Sequence, residues 1–267
     1  MNNKAVCLIF DKNYINQGKH AITSCRIHNP DYTIVLLTDD INCTNLVDII
    51  LTPKDLGLLE NNWLTVGRVA VVEYVLEKLN FKSVVFIDGD IYTYNNYNDL
   101  QENLEHSSIL VIPHITKPLP NDNCLPAHNT IALAGNYNTG MWAASQEGLD
   151  FIKWWKLQTS LYPIMSPGHG FFNEQGWLRF AADFDSNTKI FRHPGYNVAY
   201  WNIKQRKLEI KDNIWYIDNK KLTTIHFSGL NKETNPSQMS FYQNRYLLDE
   251  NDPAYSLYSS YYNLIWC

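Results

Sequence analysis

Three short apolar runs, Ala5 to Phe10, Thr33 to Leu37 and Ser83 to Ile87, are separated by stretches of helical period, and this alternation constrains the fold more than any other feature. Runs of that length, rich in β-branched residues, suit strands buried on both faces, which is the environment of a parallel sheet covered by helices. The segment Ile15 to His28 puts Ile22 and Cys25 on one helical face. Leu64 to Leu79 repeats Val69, Val72, Leu76 and Leu79 at three- and four-residue spacing, which predicts an amphipathic helix packed on a sheet. Asn29-Pro30-Asp31 supplies a turn, and Leu46 to Leu51 reads as a further short strand. The expected class is α/β with a mostly parallel central sheet flanked by helices.

Beyond residue 90 the pattern loosens. Ile109 to Ile112 and Tyr137 to Ala144 read as strands, Gln146 to Gln158 and Phe171 to Ala182 as helices, and Ile214 to Ile217 and Thr223 to Phe227 as late strands. Between them Pro113 to Gly135 carries four prolines and reads as a long surface loop, with His114, Asp122 and His128 available to shape a binding side.

The 267 residues suit one large domain, and with no internal repeat or linker a single domain over 1–240 is expected, followed by an aromatic segment, 241–267, docked on it. A net charge of −5 with scattered basic residues excludes a nucleic-acid binder that works by bulk electrostatics. The apolar run near the N-terminus is too short for a secretory signal, and no stretch approaches the roughly 18 apolar residues of a membrane span. Five cysteines (Cys7, Cys25, Cys43, Cys124, Cys267), odd in number and without a C-x-x-C pair, signal neither a disulfide framework nor a thiolate zinc site, and suit the reducing cytoplasm.

The run from Ser83 ends in Asp88-Gly89-Asp90, so a buried strand delivers two carboxylates to its C-terminal end, where chemistry sits in open α/β sheets. Two hard oxygen ligands at that spacing suit one divalent cation, and Gly89 permits close approach. An Asp-Gly turn in solvent is the alternative reading. Neither G-x-x-x-x-G-K-[ST] nor G-x-G-x-x-G occurs, which removes two phosphate-binding solutions. A dehalogenase-type phosphatase would want a hydroxyl residue two positions after the second Asp, a place held by Tyr92 in a strand well inside the chain. Far downstream, His226-Phe227-Ser228-Gly229-Leu230-Asn231-Lys232 adds an imidazole that can complete a Mn²⁺ site begun by two carboxylates, and a lysine that can face a phosphate leaving group.

With these segments in this order the chain resembles, from about residue 5 to 232, the retaining sugar-nucleotide transferases of glycosyltransferase family 8, which include bacterial lipooligosaccharide galactosyltransferases and glycogenin. The resemblance implies a GT-A fold with a Rossmann-like sheet, and a reaction that transfers glucose or galactose from a UDP-sugar to a glycan or lipid-linked saccharide in bacterial surface polysaccharide or lipopolysaccharide synthesis. It implies Mn²⁺ or Mg²⁺ held by Asp88, Asp90 and His226. Asp11 and Asn13, in Phe10-Asp11-Lys12-Asn13-Tyr14, are similar to residues that hold the uracil base, and Arg68 to an arginine that reaches the donor. Asn138-Thr139-Gly140 resembles an Asn-Ala-Gly turn at the donor sugar, and Glu174-Gln175 an Asp-Gln pair beside the anomeric carbon, so Asn138, Gly140, Glu174 and Gln175 join the nucleotide-sugar site. Gly229 and Lys232 match a closing loop over the diphosphate. Glu174, Gln175 and Lys232 are thereby the implied catalytic residues.

Three positions depart from the family pattern. Glu233-Thr234 stands where Pro-Trp follows the lysine, Gly176 where galactosyltransferase relatives carry Asp, and Glu174 is one methylene longer than Asp. A non-catalytic nucleotide-sugar or glycan-binding module on the same fold, and an inverting GT-A transferase, are the alternative functions. In the tail, Tyr255, Tyr258 and Tyr262 recur at helical spacing, which suits docking on the body or a homodimer contact. Aromatic residues also suit a peripheral contact at the inner face of the membrane, although Arg245 among Asp249, Glu250 and Asp252 offers little attraction to anionic lipid.

Overall fold

The computed structural model describes residues 3–40, 45–59, 62–162, 165–166 and 171–267. The strands in chain order are β1 (Lys4–Ile9), β2 (Thr33–Leu37), β3 (Ile49–Leu51), β4 (Ser83–Asp88), β5 (Ile91–Thr93), β6 (Ile109–Pro113), β7 (Tyr137–Ser145), β8 (Met165–Ser166), β9 (Phe171–Phe172), β10 (Thr188–Ile190), β11 (Leu208–Lys211), β12 (Ile214–Ile217), β13 (Lys220–Lys221) and β14 (Thr224–His226). The α-helices are α1 (Ile15–His28), α2 (Trp63–Glu77), α3 (Asn98–Leu104), α4 (His128–Ala134), α5 (Leu149–Leu161), α6 (Asn173–Leu178), α7 (Ala181–Phe184) and α8 (Pro253–Trp266).

A seven-stranded sheet in the order β10-β6-β7-β4-β1-β2-β3 forms the centre. β1 lies parallel to both β2 and β4, while β7 runs antiparallel to its neighbours β4 and β6. The sheet is therefore mostly parallel, as the alternation of apolar runs and helices predicts.

The two faces of the sheet explain why its strands are apolar throughout. Cys7, Ile9, Val84 and Phe86 point into one core with Val69, Val72 and Leu76 of α2 and with Phe151 and Trp155 of α5. The alternate residues Val6, Leu8, Val85 and Ile87 enter a second core with Ile22 and Cys25 of α1 and Leu100 and Leu104 of α3. Each fully buried Val or Leu contributes about 1.5–3 kcal/mol relative to exposure, so a polar residue on either face of β4 would be costly. This double burial fixes the strand register that carries Asp88 to the C-terminal end of central strand β4.

Several boundaries differ from the sequence reading. The strand expected from Leu46 begins only at Ile49, and α2 stops at Glu77, with Leu79 packing on the core from beyond the helix. The segment from Gln146 opens as a 3₁₀ turn before α5 begins at Leu149. Phe171 to Ala182 is not one helix. Phe171 and Phe172 pair with Met165–Ser166, Asn173 takes a positive φ of 44°, and α6 and α7 follow as two short pieces. Within Pro113 to Gly135 the structure adds α4, none of whose residues is buried, so it leaves no apolar period in the sequence.

A third core is built from the chain's last third. Leu257, Tyr258, Tyr261 and Ile265 of α8 pack with Val198, Ile225, Phe227 and Leu230, and the Phe227 and Tyr261 rings stack at 3.8 Å. Tyr258 and Tyr261 lie on the buried face, whereas Tyr255 and Tyr262 are half-buried. No helix among the described residues is long and apolar enough to cross a membrane. Cys7, Cys25, Cys124 and Cys267 are free thiols, and Cys43 lies outside the described residues.

Candidate active site

The site forms where β4 ends. Immediately after Asp90 the chain enters β5, which pairs antiparallel with β14 so that His226 faces Ile91, and Phe227 N donates to the Asp90 carbonyl at 3.0 Å. One strand pair thus closes a separation of 136 residues and sets the imidazole over the carboxylates. His226 Nε2 lies 3.1 Å from Asp90 Oδ1 and 4.0 Å from Asp88 Oδ2. The three side chains offer one ligand atom each within 4.8 Å of one another, the only such group of three or more His, Cys, Asp or Glu among the described residues. Gly89 serves packing here, because a Cβ on it would come within 3.2 Å of the Phe10 ring.

The charges are strongly interdependent. Burial pushes the Asp88 carboxyl above its ordinary value, against the opposing pull of Arg68. Burial works the same way on Asp90, but His226 and Arg68 outweigh it and hold that carboxyl below its ordinary value. Burial disfavours the charged imidazole of His226, yet Asp90 and Asp88 overcome it and the pKa is raised. Asp88 and His226 thus keep their protons to higher pH than usual, so protons would compete with a cation placed between them. Two carboxylates and one imidazole nitrogen suit Mn²⁺ or Mg²⁺, and Asp88 Oδ1 is buried with the Arg68 guanidinium beside it but no aligned hydrogen bond, so the donor set fits a divalent ion.

Arg68 joins this corner to Glu174. Its Nε sits 3.1 Å from Asp88 Oδ1 and its Nη1 donates to Glu174 Oε1 at 2.8 Å. Glu174 and Gln175 occupy the first turn of α6, held by Trp155 Nε1, which donates to the Glu174 carbonyl at 2.8 Å. Glu174 Oε1 also accepts from Thr139 Oγ1, and Glu174 Oε2 is buried without a partner. Gln175 Oε1 accepts from the Thr139 N–H at 3.0 Å and from Asn138 Nδ2 at 3.2 Å, while its Nε2 donates to the Ala134 carbonyl at 2.8 Å. Gly140 has no room for a side chain: a Cβ there would lie 2.3 Å from His226 Cε1. Eight of the expected residues, Arg68, Asp88, Asp90, Asn138, Gly140, Glu174, Gln175 and His226, form one connected cluster.

The remaining expected residues stand apart from that cluster. Asp11 caps the short 3₁₀ turn that follows β1, accepting from Asn13 N at 2.9 Å and Asn13 Nδ2 at 2.8 Å, and Asn13 is exposed. Tyr14 of the same turn lies within the field of the Asp88 and Asp90 carboxylates, since burial and then the charges of Asp90, Tyr242, Asp11 and Asp88 raise its phenol pKa. Gly229 adopts φ +72°, and a Cβ on it would meet Ser240 Oγ at 2.3 Å. The Lys232 side chain is exposed, and its carbonyl accepts from Tyr262 Oη at 2.7 Å.

Sequence reasoning missed Thr139 as a hydrogen-bonding partner, and also Asn197, Trp201 and Asn202. Asn197 and Asn202 are fully buried, and the Trp201 ring lies edge-on to both His114 and His226 at 5.1 and 5.4 Å. His114 is buried as well, its pKa lowered to about 4 by burial. The available signal was a pair of asparagines, Asn197 and Asn202, in a stretch that otherwise reads apolar and aromatic, where a buried amide needs partners.

Solved structures that share this architecture include glycosyltransferases. The galactosyltransferase LgtC, determined with donor and acceptor sugar analogs, matches with a TM-score of 0.56 at 12% identity, covering 98% of this chain and 96% of that one. The chain has a GT-A glycosyltransferase fold. GlyE of Streptococcus pneumoniae matches with a TM-score of 0.56 at 17% identity over 96% of this chain and 60% of its own. A glycosyltransferase involved in glycosylation of the major capsid of PBCV-1 gives 0.53 at 12% identity, over 85% of this chain and 94% of that one. In sequence, the uncharacterized protein YfnF of Bacillus subtilis is 30% identical over 155 residues, which is 55% of this chain and 49% of that protein. The chain thus spans about half the length of that curated relative. No protein-family model matches.

Proposed function

We propose that the protein is a metal-dependent retaining glycosyltransferase that moves glucose or galactose from a UDP-sugar to a glycan or lipid-linked saccharide in bacterial surface polysaccharide or lipopolysaccharide synthesis. The observation that carries this reading is the Asp88, Asp90, His226 cluster at the end of β4 in a GT-A fold. A divalent ion there, Mn²⁺ or Mg²⁺, would neutralise the diphosphate as it leaves.

The chain's own groups divide the remaining work. Arg68, already bound to Asp88 and Glu174, adds positive charge beside the leaving group, and Lys232 on the Gly229 loop adds a second cation from the solvent side. Glu174 Oε2, buried and unpartnered, would accept from a donor-sugar hydroxyl, with Gln175, Asn138 and the Gly140 turn forming the adjoining wall. Asp11 and Asn13, at the end of β1, would hold the uracil ring. Both oxygens of Glu174 are thereby allotted to binding, which supports attack by the acceptor hydroxyl from the leaving-group face over a covalent glycosyl-enzyme. The proposed setting is the cytoplasm at the inner face of the membrane, where exposed Phe241, Tyr242 and Leu247 would make a peripheral contact, and the proposed domain limits are 1–240 and 241–267.

The test is UDP release from a panel of UDP-sugars with Mn²⁺, after EDTA treatment and after Mn²⁺ is restored, with the anomeric configuration of the product read by NMR. Release that needs the metal and a retained anomer are expected. Release unaffected by EDTA would overturn the metal assignment, and an inverted anomer the stereochemical one.

A further inference from the structure

A chain of side-chain amides runs from Gln175 to His226, and every amide in it has only one orientation. Gln175 must direct Oε1 toward Thr139 N–H and Nε2 toward the Ala134 carbonyl, since backbone groups cannot exchange donor and acceptor. Asn138 is fixed in the same way: Gly140 N–H donates to its Oδ1 at 3.0 Å, so its Nδ2 donates to Gln175 Oε1 and approaches His114 Nε2 at 3.1 Å. Asn138 Oδ1 then accepts from Asn197 Nδ2, also at 3.0 Å. Asn197 is left with its Oδ1 facing His226 Nδ1 at 3.2 Å. An amide oxygen only accepts, so the proton of the neutral imidazole belongs on Nδ1 and the lone pair on Nε2, the nitrogen 3.1 Å from Asp90.

We infer that Asn197 is a positioning residue of the metal site: its carboxamide fixes the tautomer and ring orientation of His226 so that Nε2 is presented to a divalent cation between Asp88 and Asp90. Three further observations support this role. Asn197 is fully buried, and its backbone is tied to the strand that carries His226, through Asn197 N to Thr224 Oγ1 at 2.8 Å and His226 N to the Val198 carbonyl at 2.8 Å. Asn202 Nδ2 holds the Asn197 carbonyl at 3.2 Å and the His114 carbonyl at 3.0 Å. Asn197 also sits at φ +49°, a left-handed conformation that Asn, Asp and Gly tolerate, and of these Asn alone both accepts from His226 and donates to Asn138. The amide chain also links the donor-sugar wall to the metal, since Gln175 and His226 are joined through only Asn138 and Asn197.

The inference rests on the metal reading proposed above, and the experiment separates the two. Mn²⁺ is titrated into the full chain without nucleotide, and free Mn²⁺ is followed by electron paramagnetic resonance for wild type, Asn197→Gly and Asn197→Asp. Glycine keeps the left-handed backbone and removes the acceptor, so affinity should fall about 10- to 100-fold, the range for lost partners of metal-ligating histidines. Aspartate keeps the acceptor toward His226 but gives up the donor to Asn138, so its affinity should lie clearly above that of the glycine variant without reaching wild type, a partial rescue that a purely structural role for the amide would not give. Wild type that takes up no Mn²⁺ contradicts the metal site itself. Wild type that binds while the folded glycine variant binds equally well overturns the role of Asn197 alone. A measurement on the wild type guards against a glycine variant that fails to fold: in protein loaded with diamagnetic Cd²⁺, ¹⁵N spectra should find the His226 proton on Nδ1, and a proton on Nε2 would overturn the inference.

Discussion

The buried corner of the site and its open rim are organised in different ways. At the corner, Arg68, Asp88, Asp90, Asn138, Glu174, Gln175, Asn197 and His226 bind one another through ion pairs and oriented amides, on elements fixed by all three hydrophobic cores. At the rim, Asp11 and Asn13 bond to each other on a short turn, and the side chain of Lys232 faces solvent on a loop. The corner is set before any ligand arrives, which is the condition for electrostatic preorganisation. The rim has groups suited to making their contacts only when a nucleotide is bound.

That contrast breaks first at the corner. Asp90→Ala should abolish Mn²⁺ uptake and lower UDP release by at least about a hundredfold, the order expected when one electrostatic stabiliser of a transition state is lost. Thermal unfolding of the metal-free variant should remain cooperative. A variant with near-normal turnover would mean that the corner does not carry the chemistry.

Gly140→Ala is the next largest. Its added methyl meets the imidazole and Asn138 Oδ1 at once, so His226 must leave its position. Mn²⁺ affinity should fall about 10- to 100-fold, with about 1–3 kcal/mol lost in chemical denaturation from overpacking. Unchanged affinity would show that the ring is free to shift.

Protons sharpen the comparison further. A cation needs Asp88 ionised and His226 neutral, and both groups hold their protons to higher pH than usual, Asp88 by burial and His226 by its carboxylate neighbours. Mn²⁺ affinity should therefore rise with pH up to and beyond 6.5, by as much as about tenfold per unit for each competing proton. The metal-free protein should move the other way. Raised values mean that the folded state binds more protons, so the contribution of Asp88 to stability falls as pH rises above 3.8, and that of His226 falls as pH rises above 6.5. The increase in melting temperature on adding Mn²⁺ should thus grow with pH, and a pH-independent increase would contradict this assignment.

The smallest effects belong to the rim. Lys232→Ala and Asp11→Ala each remove an exposed or half-exposed charge, so Mn²⁺ affinity without nucleotide should stay within about fivefold of wild type, the limit for about 1 kcal/mol of surface electrostatics. UDP affinity, read by calorimetry, should weaken in both. A large loss of Mn²⁺ affinity in either would erase the distinction between rim and corner.

The sequence made the corner legible in part, because its two carboxylates and imidazole lie at ends of strands that periodicity reveals. β4 announced Asp88 and Asp90 through an apolar run buried on both faces, and His226 followed a second strand. Asn197 and Asn202 could not be read in this way. Their importance comes from which groups surround them, and that is set by a bridge between Val198 and Ile225, residues separated by the small β11-β12-β13 sheet. The α4 helix escaped for a related reason, since it buries no residue fully and so shows no apolar period. The break between α6 and α7 escaped because Asn173 turns through a left-handed conformation in a segment whose composition suits a helix.

The central claim is that Asp88, Asp90 and His226 jointly hold the divalent ion of a sugar-nucleotide site. Crystals soaked with Mn²⁺ and UDP, with data collected at the manganese absorption edge, test it directly. The account predicts one anomalous peak within coordination distance of both carboxylates and His226 Nε2, with the diphosphate of UDP as the neighbouring ligand. A peak elsewhere, or UDP bound with no peak between these three side chains, would contradict it.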